Sequence, residues 1–284
     1  MIRISTTEDS SIGEVITPTI FPDKTSQVWK LDEKYRDNSV YIRWDWEGNE
    51  SELIWINQLI CLLYQMGTTI EELYIPYLPY ARQDKEVGNE ATFARHVFLE
   101  LLLKEHVRKV TTLDIHSSSD SVQSYTPFRY ISQSITESDA DVIVYPDAGS
   151  YNRYNDWIQS TYGLTTIVLD KVRNQLTGKI EGLDVNKDLT DYISSDDNQC
   201  KMLIIDDLSD YGGTFKKAST FLKDRFSGCD VSLYVTHFLG HGDITSYREA
   251  GIASIYTSPS LYEYRKKFQC DDEGVIIMKG NVIR

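Results

Sequence analysis

Asp206, Asp207 and Asp210 precede Tyr211-Gly212-Gly213-Thr214 at the end of an apolar run, Met202 to Ile205. Three carboxylates beside a glycine pair suit a ligand that joins a sugar or a metal to a phosphate. The acids face the sugar or metal, while backbone N–H groups at the start of a following helix cradle the phosphate. That helix is expected because Ala218, Phe221, Leu222 and Phe226 form one apolar side of the next segment. Other polar groups sit in comparable places: Arg82-Gln83-Asp84 after Leu73 to Leu78, and His116 after Val110 to Ile115. Asp147 follows Ala140 to Tyr145, and Lys171 with Arg173 follows Leu164 to Leu169. Open parallel sheets bind ligands beyond the carboxyl ends of their strands, which is where all of these residues fall.

The elements that must carry them alternate. Val40 to Arg43 reads as a strand, and a helix follows in which Leu53, Ile56, Leu59, Ile60, Leu63 and Met66 recur at helical spacing. After the strand at 73–78, residues Glu90 to Glu105 are expected to be helical, followed by the strand at 110–115. The Ser/Thr-rich stretch 117–138 is too polar to form a core by itself. A second alternating set then runs through a strand at 140–145, a helix at 151–161, strands at 164–169 and 202–205, and strands at 231–236, 252–256 and 275–278. The polar region 174–199 reads as an excursion from the core. This alternation predicts an α/β protein with parallel sheets covered by helices. The domain boundary is expected near 125–140 and is set at 1–135 and 136–284, with a possible return of the C-terminal chain to the first domain.

The chain has 284 residues, of which 41% are hydrophobic and 25% charged, with a formal charge of -14. A chain of this length buries about 75% of its unfolded surface. Its acidity argues against non-specific binding to nucleic acid or anionic membrane, so phosphate must be met by local basic groups or a metal. Cys61, Cys200, Cys229 and Cys270 lack paired metal spacing and read as reduced thiols. No signal-peptide core or membrane-length apolar run is present in the sequence, so a cytoplasmic location is expected.

Pro76-Tyr77-Leu78-Pro79-Tyr80-Ala81-Arg82-Gln83-Asp84-Lys85 resembles the ATP-binding stretch of the ribose-phosphate pyrophosphokinase family. Asp114-Ile115-His116-Ser117 is similar to its metal-binding motif, and Pro146-Asp147-Ala148-Gly149 to its Pro-Asp-x-Gly turn. Asp170-Lys171-Val172-Arg173 resembles the root of its catalytic loop, and Ile205 to Thr214 the ribose-phosphate loop shared with type I phosphoribosyltransferases. These motifs run in family order over about residues 38–258. The resemblance implies two phosphoribosyltransferase-like domains, each with a mainly parallel sheet flanked by helices. It implies Mg²⁺, ATP and ribose 5-phosphate as ligands, a homo-oligomer, and a loop near Phe21-Pro22-Asp23 that helps a neighbouring subunit hold adenine. The implied reaction moves the β,γ-diphosphoryl group of ATP to the C1 hydroxyl of ribose 5-phosphate and releases AMP.

On this reading Arg82 and Gln83, with Asp84, Phe21 and Asp23, bind ATP, and Arg82 can fork two donors onto phosphate. His116 and Asp147 supply a nitrogen and an oxygen to a divalent cation whose other ligands are water and phosphate; His116 could instead cap a strand end. Lys171 and Arg173 neutralise the diphosphoryl group as it leaves AMP, or merely solubilise a loop. Asp206 and Asp207 hold the ribose hydroxyls. Asp210, Tyr211, Gly212, Gly213 and Thr214 serve the 5-phosphate end, with Asp210 orienting the reacting sugar. His237 and His241 are equally compatible with packing or surface. The chain departs from the family at Glu86 to Thr92, where a basic segment is usual, at Ser118-Ser119, and at Ser150. A non-catalytic relative of the same fold and a base phosphoribosyltransferase are the alternative readings.

Overall fold

The computed structural model describes residues 1–86, 88, 91–173, 180–185, 200–226, 228–240, 244–261 and 275–278, with the side chains of 170–173, 180–185 and 275 outside that description. The chain divides into two compact units. The first holds Met1–Thr126 together with Ser260 and Leu261, and the second holds Pro127–Pro259 and Val275–Met278. The division falls after Thr126, so the segment 127–135, expected in the first domain, lies in the second unit.

The first unit contains β1 (Ile2–Ser5), β2 (Glu14–Ile16), the short pair β3 (Thr19–Ile20) and β4 (Ser26–Gln27), and β5 (Ser39–Trp44). Then come α1 (Ser51–Gln65), β6 (Thr69–Ile75), α2 (Ala94–Leu101), β7 (Val110–Leu113) and β8 (Gln123–Tyr125). The sheet order is β2-β1-β5-β6-β7-β8. Strands β5 to β8 are mutually parallel, whereas β1 is antiparallel to both β2 and β5. Alternation along β5 sends Val40, Ile42 and Trp44 inward, where they meet Ile56, Leu59, Ile60 and Leu63 of α1, all without solvent exposure.

Two elements differ from expectation here. Strand β6 begins at Thr69, through polar residues, and ends before Pro76, which has no N–H for a ladder. Its Glu72 is nonetheless buried, because Thr111 Oγ1 donates to it at 2.6 Å and Tyr125 Oη at 2.7 Å, with Lys109 Nζ 3.8 Å away. Helix α2 is shorter than the expected 90–105. Phe93 precedes it with a non-helical backbone, Leu102 leaves it in an extended one, and Lys104–His106 form a separate 3-10 turn.

The second unit contains α3 (Phe128–Ser138), β9 (Val142–Tyr145), α4 (Ala148–Tyr162), β10 (Thr165–Arg173) and β11 (Ile180–Val185). It continues with β12 (Lys201–Ser209), α5 (Gly213–Arg225), β13 (Asp230–Phe238), α6 (Ile244–Glu249), β14 (Ile252–Thr257) and β15 (Val275–Ile277). The sheet order is β11-β10-β9-β12-β13-β14-β15, parallel except for β11. Val144, Ile204, Leu233, Val235, Ala218 and Leu222 form the fully buried centre of its core.

The polar stretch read as coreless contains α3. Its Tyr130, Ile131 and Ile135 are buried, while Ser134 and Ser138 return their hydroxyls to the carbonyls of Ile131 and Ser134 at 2.8 and 2.6 Å. Serines that bond back to their own helix can be packed without stranding a polar group. Part of the expected excursion is also strand: β11 pairs with a β10 that runs on to Arg173. Residues 174–179 and 186–199 lie outside the described residues.

Candidate active site

In the second unit the strand order reverses between β9 and β12, which run side by side and send their following helices from neighbouring carboxyl ends. Such a switch point leaves a crevice. The pairing of β12 with β9 stops at Ile204, but its pairing with β13 continues to Ser209. Asp206 and Asp207 therefore belong to the strand and not, as expected, to the loop after it, and they lie where β12 has lost one neighbour.

Carboxylates accumulate at that edge. Asp207 is buried, and its N–H donates to Asp206 Oδ1 at 2.9 Å. Burial first, and then the charges of Asp207 and Asp147, push the Asp206 carboxyl well above its ordinary range. Arg153 of α4 offsets part of this charge, with Nη1 3.6 Å from Asp207 Oδ2. Asp147 caps α4: its Oδ1 accepts the N–H groups of Gly149 and Ser150 at 3.0 and 3.2 Å. That bond is a structural use for the aspartate beside the metal role the resemblance implies.

Beyond β12, Gly212 stands at the N-cap of α5 with φ +71° and offers no side-chain acceptor to the helix. A Cβ there would collide with the ring and hydroxyl of Tyr247, so both backbone angle and space demand glycine. A Cβ at Gly213 would meet nothing within 4 Å, so this position faces open space. The helix start thus combines N–H groups lacking a side-chain cap with room for an anion. Asp210 and Thr214 are half-buried at its edge, and Tyr211 is exposed.

Tyr247 was not apparent as a site residue. It is buried in α6, its hydroxyl lies 2.8 Å from Ser209 Oγ, and Lys216 Nζ sits 5.4 Å over its ring while donating to Ser246 Oγ at 3.1 Å. It therefore props the loop from beneath; only the small residue at 212 hinted at a close neighbour. His237 is a buried residue of β13, opposite Leu208, and His241 lies outside the described residues. The backbone of Lys171 and Arg173 lies in β10, opposite Leu183 and Ile180, with a register shift after Val172. Their side chains lie outside the described residues.

In the first unit, the chain leaves β6 through a loop anchored by buried Tyr77, Leu78 and Ala81. Tyr80 has φ +59°, packs on Phe98 with ring centroids 5.6 Å apart, and donates its hydroxyl to Glu50 at 2.5 Å. These contacts make Tyr77 and Tyr80 packing residues, and they leave Arg82 and Gln83 exposed with Asp84 half-buried. Burial opposes ionisation of Asp84, but the Ser117 hydroxyl and the backbone N–H of Asp84 itself, with His116 and Arg95 nearby, outweigh it and hold its carboxyl below the usual range. Asp84, His116 and Ser117 therefore form one cluster at the carboxyl ends of β6 and β7. Arg95, unnoticed in the sequence, is buried at the centre of this cluster.

Phe21 and Asp23 occupy the turn between β3 and β4. Phe21 is 38% exposed, and Asp23 Oδ1 accepts from Thr25 N–H and Oγ1 at 3.1 and 2.7 Å, which holds its carboxyl low. Among the described residues, no three His, Cys, Asp or Glu side chains gather to hold a metal. Mg²⁺ commonly uses one or two protein carboxylates with phosphate and water, so a metal need not gather three protein side chains. His116 belongs to the first unit and Asp147 to the second. No helix among the described residues is long and apolar enough to cross a membrane.

No protein-family model matches the chain. It is 25% identical to ribose-phosphate pyrophosphokinase of Mycoplasma genitalium over 264 residues, covering 83% of this chain and 76% of that relative. It is 25% identical to ribose-phosphate pyrophosphokinase 2 of Schizosaccharomyces pombe over 289 residues, covering 95% and 84%. The fold resembles the crystal structure of phosphoribosylpyrophosphate synthetase from Mycobacterium smegmatis, with a TM-score of 0.72 at 20% identity over 93% of this chain and 85% of that one. With the ordered motifs and the paired α/β units, the chain is similar to ribose-phosphate pyrophosphokinases over most of its length and shares the fold of a phosphoribosylpyrophosphate synthetase.

Proposed function

We propose that the chain transfers the β,γ-diphosphoryl group of ATP to the C1 hydroxyl of ribose 5-phosphate, giving phosphoribosyl pyrophosphate and AMP. The observation that carries this reading is the end of β12, where an acidic strand edge leads directly into a glycine-made, uncapped helix start. A sugar phosphate matches both halves: hydroxyls donate to Asp206 and Asp207, and the 5-phosphate accepts from the N–H groups at Gly213 and Thr214. Ordering the sugar by both ends presents C1 to the diphosphoryl group, and alignment is the larger part of phosphoryl-transfer catalysis.

Arg82 and Gln83 bind the nucleotide, while Lys171 and Arg173 meet the charge that grows as the bond to AMP lengthens. Such charge-matched donors raise turnover when their contact strengthens in the transition state. His116 and Asp147 would hold Mg²⁺, which when bound supplies charge neutralisation to the phosphates. The exposed Phe21 turn, beside exposed Ile20 and Trp29, suits a contact between copies of the chain. The reading is tested by nucleotide chromatography after incubation with MgATP. AMP formed only when ribose 5-phosphate is present supports it, whereas ADP, or AMP formed without the sugar, opposes it.

A further inference from the structure

Building on that function, we infer that Arg95 is a positioning residue that locks the nucleotide loop to the His116 loop and so governs MgATP binding. Its main-chain N–H donates to the carbonyl of Gln83 at 3.1 Å. Its guanidinium reaches the other loop: Nη1 donates to Ser117 O at 2.9 Å and to Ser117 Oγ at 2.7 Å, and Nη2 to Ser118 O at 3.3 Å. Ser117 in turn helps hold the Asp84 carboxylate of the nucleotide loop low. One residue thus ties Gln83 of the nucleotide loop to Ser117 and Ser118 of the His116 loop.

The arrangement is expensive for a purely structural link. Arg95 is only 5% exposed and its Nε has no hydrogen-bond partner among the described residues, a cost offset only in part by its place 5.6 Å from the Phe93 ring. A buried guanidinium is retained at such cost when its planar fork sets a geometry that a single-point donor cannot. The segment before it, Glu86 to Thr92, has no Lys or Arg. Arg95 therefore brings a fixed cation to this cluster from the first turn of α2.

The test uses the full chain and its Arg95→Lys, Arg95→Met and Ser117→Ala variants. Calorimetry measures MgATP binding, steady-state kinetics give both KM values, and thermal melting reports folding. Arg95→Met is expected to weaken MgATP binding by about tenfold or more, with KM for ribose 5-phosphate within about twofold of the parent. Arg95→Lys should recover part of the loss, and Ser117→Ala should weaken MgATP binding by about threefold or more without touching the arginine. If the Arg95 variants do not fold, Ser117→Ala decides the question. MgATP binding unchanged in the folded variants, or equal losses for both substrates, overturns the role of Arg95 while leaving the proposed reaction standing. Failure of the parent to bind MgATP overturns both.

Discussion

At the end of β12, burial and two neighbouring carboxylates keep Asp206 protonated above its ordinary range. Between the unfolded carboxylate range and the raised folded value, the native state binds more protons than the unfolded state, so this group makes stability fall as pH rises. Asp206→Asn should accordingly raise the melting temperature near neutral pH, with a gain that shrinks as pH falls into the ordinary carboxylate range. It should also weaken ribose 5-phosphate binding. A pH-independent change in melting would contradict the electrostatic account. Replacing Lys171 and Arg173 together with Ala should lower kcat by about 100-fold while leaving KM for ribose 5-phosphate within about threefold, because the contact is needed as charge develops. Unchanged turnover would remove both residues from catalysis. Asp210→Ala should chiefly impair ribose 5-phosphate kinetics, and unaltered kinetics in a folded variant would reject its assignment.

The glycine turn after β12 and the helix it opens were legible because aspartates, a glycine pair and helical apolar spacing follow one another in adjacent letters. Arg95 and Tyr247 were not. Arg95 reads as one charge on an amphipathic helix, and its partners are brought to it by two other loops. Tyr247 reads as one of 19 tyrosines until α6 carries it beneath Gly212.

Among the elements, the β12 to α5 turn is where conformation and the proposed function meet. Gly212→Ala should cost about 1–3 kcal/mol for the positive φ, before the collision with Tyr247 is counted, and should abolish ribose 5-phosphate binding. Tyr247→Phe removes the hydrogen bond with Ser209 and should cost about 0.5–1.5 kcal/mol with a smaller loss of sugar-phosphate affinity. Chemical denaturation and calorimetry together check both. Wild-type affinity in Gly212→Ala would show that the loop is not the phosphate cradle.

Parallel strands such as β9 and β13 were readable as continuous apolar runs, because both faces of the sheet are covered. Strand β6 was misplaced because its first half is polar, and Glu72 becomes a buried residue only through Thr111 and Tyr125, far away in sequence. Helix α3 was missed because its hydroxyls satisfy themselves on their own backbone, a pairing that composition does not reveal. Strand β1 pairs with β5 across the intervening hairpin, a long-range antiparallel choice with no local signature.

For the whole molecule, alternation of strand and helix gave the α/β class, while the family resemblance supplied the two-unit plan. On the proposed reading, a net charge of -14 leaves phosphate recognition to a few placed groups: Arg82, the N–H groups of α5, Lys171 and Arg173. The central claim is that these groups serve one diphosphoryl transfer. Phosphorus NMR of the purified chain with Mg²⁺, ATP and ribose 5-phosphate tests it most directly. The account predicts that ATP resonances are replaced in step by those of AMP and of a diphosphate ester at the sugar C1. Folded protein that binds either substrate yet yields no such product would contradict it and favour a relative that keeps the fold without the reaction.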